Sequence, residues 1–142
     1  MQLRFNLRAG APAQALALIG NLSAPAKSMR ELLVYAKANP GQLNFGSSGS
    51  GSTTHLAGEL LNTLAGIKLV HVPYRGVPPV VQDLMGNQID LSFVPLGGAA
   101  LNMLETGKLR AFGSTAAKAP SLLPHVAPLS QQSAALKGFE YT

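Results

Sequence analysis

Between Asn44 and His55 the chain reads NFGSSGSGSTTH, which sets six hydroxyl side chains and three glycines between a short apolar run and a helical pattern. Such a stretch can serve as a flexible linker, a phosphate cradle, a nucleophile loop or a seat for another anion. The linker role is weakened by the strand and helix patterns that flank it closely. A phosphate-binding P-loop needs Gly-Lys-Ser/Thr at its end, and none is present. Gly46, Gly49 and Gly51 do not make the G-x-G-x-x-G of dinucleotide-binding folds. A nucleophile elbow needs G-x-S-x-G; Gly49-Ser50-Gly51 sets Ser50 between glycines with the wrong outer spacing. His55 stands near in sequence, with no Asp partner to complete a triad. The anion seat uses every feature. Glycines expose backbone N–H groups, Ser and Thr hydroxyls add donors, and a helix starting near Ser52 aims its free N–H groups and positive dipole end at the same spot. The simpler alternative is that Ser52 or Thr53 is an N-cap and the glycines only turn the chain.

The elements around this stretch alternate. Ser28 with Glu31 is a capping box opening a helix that Asn39-Pro40-Gly41 stops. Gln42 to Phe45 reads as a strand. Thr53 to Leu64 reads as a helix, with Leu56, Leu60, Leu61 and Leu64 at helical spacing and Ala65-Gly66 at its end. Strand Lys68–Val72, helix Pro78–Met85 with prolines near its start, strand Gln88–Val94, helix Gly97–Glu105 and strand Leu109–Ser114 follow. The tail from Ala117 is rich in Pro and Ser. Helix–strand alternation at this spacing predicts an α/β fold, a parallel or mixed sheet with helices on both faces. In such sheets ligands sit beyond the carboxyl ends of the strands, so the loops after Phe45, Val72, Phe93 and Ser114 carry the functional interest.

Composition bounds the function. The 142 residues suffice for one ordinary core, and 46% hydrophobic with 12% charged residues is a globular balance. No run reaches the roughly 18 apolar residues of a membrane-spanning helix. The sequence has no Cys, which removes disulfides, thiolate catalysis and Cys-based metal sites from these residues. No His/Asp/Glu group has metal spacing, and no cofactor is implied. The net charge of +5 is scattered, without basic runs or interleaved aromatics, which argues against nucleic acid as a partner. Arg4 and Arg8 precede an apolar run from Ala11 to Ile19, and Ala24-Pro25-Ala26 has a small-x-small shape. Residues 1–23 therefore read as an N-terminal arm or a weak signal-like segment, and 24–142 as a single α/β lobe.

The runs PAKSMRELLVYAKANPGQLNFGSSGSGSTTHLAGELL, GIKLVHVPYRG, VQDLMGNQIDLSF and GKLRAFGSTAAKAPSLLPHV, in that order, resemble the tripartite tricarboxylate transporter receptors, the Bug family of periplasmic solute-binding proteins. The resemblance runs from about Ala24 to the C-terminus. It implies one lobe, mainly the second domain, of a two-domain Venus-flytrap receptor that binds a small carboxylate without catalysis, in the periplasm, for a membrane permease. Ser47, Ser48, Gly49, Gly51, Ser52 and Thr53 match the family's anion loop and are expected at the ligand. His55 matches its helix histidine, with capping or packing as the other role. Tyr74 and Arg75 match its Val-Pro-Tyr-Lys/Arg-Gly turn, Tyr74 as a pocket wall and Arg75 as an acid partner or a solvated charge. Gly76 is expected to be conformational and His71 structural. Where many relatives carry Asp or Asn after the strand matching Leu91-Ser92-Phe93, this chain has Val94-Pro95-Leu96-Gly97-Gly98. The first domain's Gly-rich loop and the family's return segment have no match here, so a truncated receptor is expected, with a homodimer as one way to cover its open edge. The rivals are a small serine esterase using Ser48 or Ser50, and a ligand-free remnant domain.

Overall fold

The computed structural model describes residues 16–95, 103–104 and 106–115. The elements are β1 (Leu16–Asn21), α1 (Met29–Ala38), β2 (Asn44–Ser47), α2 (Thr53–Ala65), β3 (Val70–Pro73), α3 (Val77–Met85), β4 (Leu91–Pro95) and β5 (Leu109–Ser114). Of the helix expected over Gly97–Glu105, Met103 and Leu104 are helical and most of the rest lies outside the described residues. So do the first fifteen residues and the Pro/Ser tail.

Local chemistry sets the helix ends. Ser28 accepts from the Glu31 N–H at 3.2 Å, and the Glu31 carboxylate accepts from the Lys27 N–H at 3.1 Å, one residue before the reciprocal bond of an ideal capping box. Ser52 caps α2, and Gly66 closes it in the left-handed region at φ 65°. Gly76 precedes α3 at φ 120°, and prolines fill the first turn.

The sheet has five strands in the order β3-β2-β4-β1-β5. β2 is parallel to β3 and β4, whereas β1 runs antiparallel to both β4 and β5. The sheet is therefore mixed. The exception is the one strand that the sequence pattern does not reveal: Leu16–Asn21 lies within the segment expected to be an arm, yet all its residues are buried. A strand covered on both faces loses the apolar–polar alternation by which strands are recognised, so its unbroken apolar run passes for a signal-like segment.

Both faces are packed. Leu16 and Leu18 point to the side holding Phe45, Leu91, Phe93, α1 and α2, while Ala17 and Ile19 point to the side holding Val94 and α3. At the amino ends of the strands, Asn44 and Asp90 exchange bonds: the Asn44 N–H donates to Asp90 Oδ2 at 3.0 Å and the Asp90 N–H to Asn44 Oδ1 at 2.7 Å. Ser92 donates to the Gly46 carbonyl at 2.7 Å, and the Asn21 side-chain amide donates to the Leu84 carbonyl.

α2 buries most of the leucine stripe expected from sequence: Leu60 and Leu61 are covered and Leu64 packs against the core, with Leu56 the exception. Leu56 is 42% exposed, and the covered face is Thr54, Ala57, Gly58, Leu60, Leu61 and Ala65. Small residues at the contact let the helix come close to the sheet: a Cβ on Gly58 would lie 2.1 Å from Phe45 Cε2. Gly58→Ala should lower stability by about 1–3 kcal/mol despite alanine's better helix propensity, because the buried phenyl ring must move. Urea unfolding of the variant checks this; equal or greater stability would show that α2 can retreat freely from β2.

Candidate functional site

β2, β3, β4 and β5 point the same way, so their carboxyl ends share one side of the sheet. β2 extends to Ser47, which is fully buried and belongs to the strand. From there the chain reaches α2 through Ser48–Ser52. Gly49 at φ 147° and Gly51 at φ 83° take backbone conformations that disfavour any side chain, which is why the loop can be this short.

Most of the loop's donors are bonded within it. The Ser48 N–H donates to Thr54 Oγ1 at 2.9 Å, the Gly49 N–H to Ser47 Oγ at 3.2 Å, the Gly51 N–H to His55 Nδ1 at 2.9 Å and the Ser52 N–H to the Gly49 carbonyl at 3.1 Å. Ser52 Oγ donates to the same carbonyl at 2.6 Å and accepts from the His55 N–H at 3.3 Å. The N–H groups of Ser50, Thr53 and Thr54 have no acceptor among the described residues. Ser50 and Thr53 are exposed, which places their hydroxyls at the open surface of the loop. These groups sit at the positive end of the α2 dipole, the chemistry an anion needs. α3 begins on the same side of the sheet but offers fewer donors, because Pro78 and Pro79 lack an N–H.

Two histidines brace the loop. The His55 and His71 rings stack with centroids 3.7 Å apart and planes 8° from parallel, and the Phe45 ring lies 5.2 Å from His71. His71 Nε2 is 2.7 Å from Ser47 Oγ. Burial holds His71 below the ordinary imidazole range, and the neighbouring His55 adds to this against an opposing pull from Glu59. The Ser47–His71 pair has nucleophile–base spacing, but Ser47 is 0% exposed. The serines of the esterase alternative are placed differently: Ser48 Oγ meets Thr54 Oγ1 at 3.0 Å, and Ser50 bonds to no histidine among the described residues.

Tyr74 is turned away from the role of a bare pocket wall. Its ring packs over Gly46 with the α3-side core, and its hydroxyl donates to Asp83 Oδ2 at 2.7 Å. Burial, then the bond to Asp83, pushes its pKa up to about 12, so it stays neutral at any physiological pH. The Tyr74 N–H donates to the Ser47 carbonyl at 2.9 Å, tying the turn after β3 to the end of β2. Arg75 is exposed and Gly76 has positive φ, as a conformational glycine should. Thr54 is the residue that motif reading omits. Its signal is positional: with Ala57, Gly58 and Leu61 it completes the buried face of α2. Ser114, at the end of β5, is also fully buried, with a hydroxyl that has no partner among the described residues.

The profile of the tripartite tricarboxylate transporter family receptor, TctC, matches residues 9–142. The chain belongs to this receptor family. A relative from Pseudomonas sp. (strain P51), the UPF0065 protein in the tcbD-tcbE intergenic region, is 39% identical over 114 residues, 80% of this chain and 33% of the relative. Among solved structures, R. palustris Rpa4515 with adipate superposes with a TM-score of 0.83 at 32% identity, over 90% of this chain and 42% of that one. The periplasmic binding protein BugD gives 0.80 at 29% identity, and MatC from Rhodopseudomonas palustris with bound malate gives 0.82 at 26%, each over 90% of this chain and 42% of its own. The chain thus spans about a third of the curated relative and about two fifths of each solved structure. The match begins at residue 9, so it takes in β1, which the motif runs from Ala24 onward leave out.

The histidine pair makes a pH dependence. His71 is depressed in the fold relative to an unfolded value of about 6.5, so below that pH the unfolded chain binds more protons. The stabilisation is complete above about pH 6.5 and is lost as the pH falls through the lowered folded value. The urea midpoint should be flat between pH 7 and 8 and fall on acidification below 6.5, and His71→Gln should reduce that fall. An unchanged acid slope in the variant would remove His71 as its source.

Proposed function

We propose that this chain is a carboxylate-binding lobe of a periplasmic tripartite tricarboxylate transporter receptor, which binds without catalysis and presents its ligand to a membrane permease. The observation that carries the reading is the Gly–Ser loop. The N–H groups of Ser50 in the loop and of Thr53 and Thr54 at the start of α2 are unbonded among the described residues, in a fold whose neighbours hold adipate and malate. Supporting contacts come from the exposed hydroxyls of Ser50 and Thr53. Ser47, Ser48, Gly49, Gly51, Ser52 and His55 shape the loop through their internal bonds, and Tyr74 fixes the neighbouring turn. The ligand class is a small di- or tricarboxylate. Arg75 and the chain's net positive charge favour its approach.

Adipate, malate and citrate, titrated at low salt, test this by thermal shift, since a ligand that binds only the folded state raises Tm by mass action. Thr53→Pro sharpens the test. Position N1 of a helix tolerates proline, and Ser52 already has the extended backbone (φ −69°, ψ 166°) that a following proline requires. The variant removes one N–H from the proposed seat and leaves α2 standing. Loss of a charge-assisted bond of about 1.5–3 kcal/mol should weaken binding tenfold or more, whereas Thr53→Ala should lose less. A cooperatively melting chain that no acid stabilises would mark this lobe as a ligand-free domain.

Among the described residues β3 pairs only with β2, and Val70 on this edge strand is 49% exposed, so a second copy of the lobe is the proposed cover for that edge. A monomer mass by light scattering at micromolar concentration would remove this part of the proposal.

A further inference from the structure

Thr54 is buried, 4% exposed, and its hydroxyl lies where three bonds meet: the Ser48 N–H at 2.9 Å, Ser48 Oγ at 3.0 Å and Ser52 Oγ at 2.9 Å. Proton bookkeeping fixes their direction. Ser52 Oγ spends its single proton on the Gly49 carbonyl at 2.6 Å, so the proton between Thr54 and Ser52 is Thr54's. The Thr54 oxygen then accepts from both the N–H and the hydroxyl of Ser48. One side chain therefore joins the entry of the loop to its exit, and through Ser52 to its tip at Gly49.

We infer that the Thr54 hydroxyl is the positioning group of the carboxylate site. It never meets the ligand, but it holds the loop in its binding shape before a ligand arrives. This inference rests on the carboxylate reading of the loop. Two features make the loop need such a brace. Gly49 and Gly51 give it a wide choice of backbone conformations when unrestrained, and that freedom would otherwise be lost on binding. The histidine brace acts elsewhere, on Ser47 and Gly51. Ser48 is held by Thr54 alone among the described side chains. Thr54 is set for the task by α2 itself, because its side chain lies on the buried face and cannot swing into solvent.

The test compares the full chain with Thr54→Val, which keeps the shape without the hydroxyl, and Thr54→Ser, which keeps the hydroxyl. Amide hydrogen exchange reads the loop, and adipate affinity, measured well below Tm, reads the site. Thr54→Val should speed exchange at Ser48 and weaken adipate by about tenfold each, and Thr54→Ser should restore both to near the wild-type values. If Thr54→Val lowers Tm while leaving Ser48 exchange and adipate affinity unchanged, Thr54 is a core residue only and the inference is wrong. If the wild type binds no adipate, the carboxylate reading falls, and Ser48 exchange still decides whether Thr54 holds the loop. Should Thr54→Val not fold, the unliganded wild type suffices: its Ser48 amide must exchange more slowly than those of Ser50 and Thr53, and equal rates overturn the inference.

Discussion

The close approach of α2 to β2 is the constraint on which the rest depends. Gly58 lies over the Phe45 ring with no room for a methyl group, and this sets the height of the helix above the sheet. With that height fixed, the start of α2 stands beside the end of β2, and the chain from Ser47 to Ser52 has to turn sharply to connect them. The positive φ angles of Gly49 and Gly51 follow from that geometry. The same contact places His55 on the first turn of α2 over His71 on β3, with Phe45 beneath. A larger residue at 58 would shift the helix start, the loop and the histidine stack together, because they share one packing layer.

An anion site built on backbone has to satisfy two opposing demands. The loop must be ordered, which uses donors internally, and it must keep donors free for the ligand. Here the division is by position. Ser48, Gly49, Gly51 and Ser52 commit their N–H groups to the loop itself, and Ser50, Thr53 and Thr54 do not. The free ones include the first N–H groups of α2, which no intrahelical acceptor can reach and where the helix dipole is most positive. Acidic residues are absent from the first turn of α2, so no internal carboxylate competes for them.

The neighbouring turn is fastened independently. Tyr74 bonds by its N–H to the end of β2 and by its hydroxyl to Asp83 on α3, so the second loop on this side of the sheet is tied to both elements it lies between. Its ring closes over Gly46 where the sheet has no side chain. Asn44 with Asp90 pins the opposite ends of β2 and β4. The strand that carries the proposed site is thus anchored at both ends and covered on both faces, a suitable base for a loop whose own bonds are short-range.

What the sequence determined by itself is what local rules control. The Ser28 and Ser52 caps, the Gly66 stop, the first-turn prolines of α3 and strand Leu109–Ser114 all depend on residues within a few positions of one another. The Gly–Ser loop was legible as a candidate anion seat for the same reason, since hydroxyls, glycines and a helix start stand side by side in the chain, and that seat stands as the proposal made above. The order of motifs carried the family. The tertiary structure alone decided the rest. β1 lost its alternation because both its faces are covered, and its antiparallel place between β4 and β5 depends on partners roughly seventy to a hundred residues away. The buried face of α2 was set in part by which residues are small enough to meet Phe45, so the leucine stripe, three of whose four members do face the core, was misplaced at Leu56 and left out Thr54. The carboxylate of Asp83 and the hydroxyl of Tyr74 look like unrelated surface groups until α3 folds against the sheet and brings them together. Sequence states which groups can bond; only the packed fold determines which are already bonded, and so which are left for a ligand.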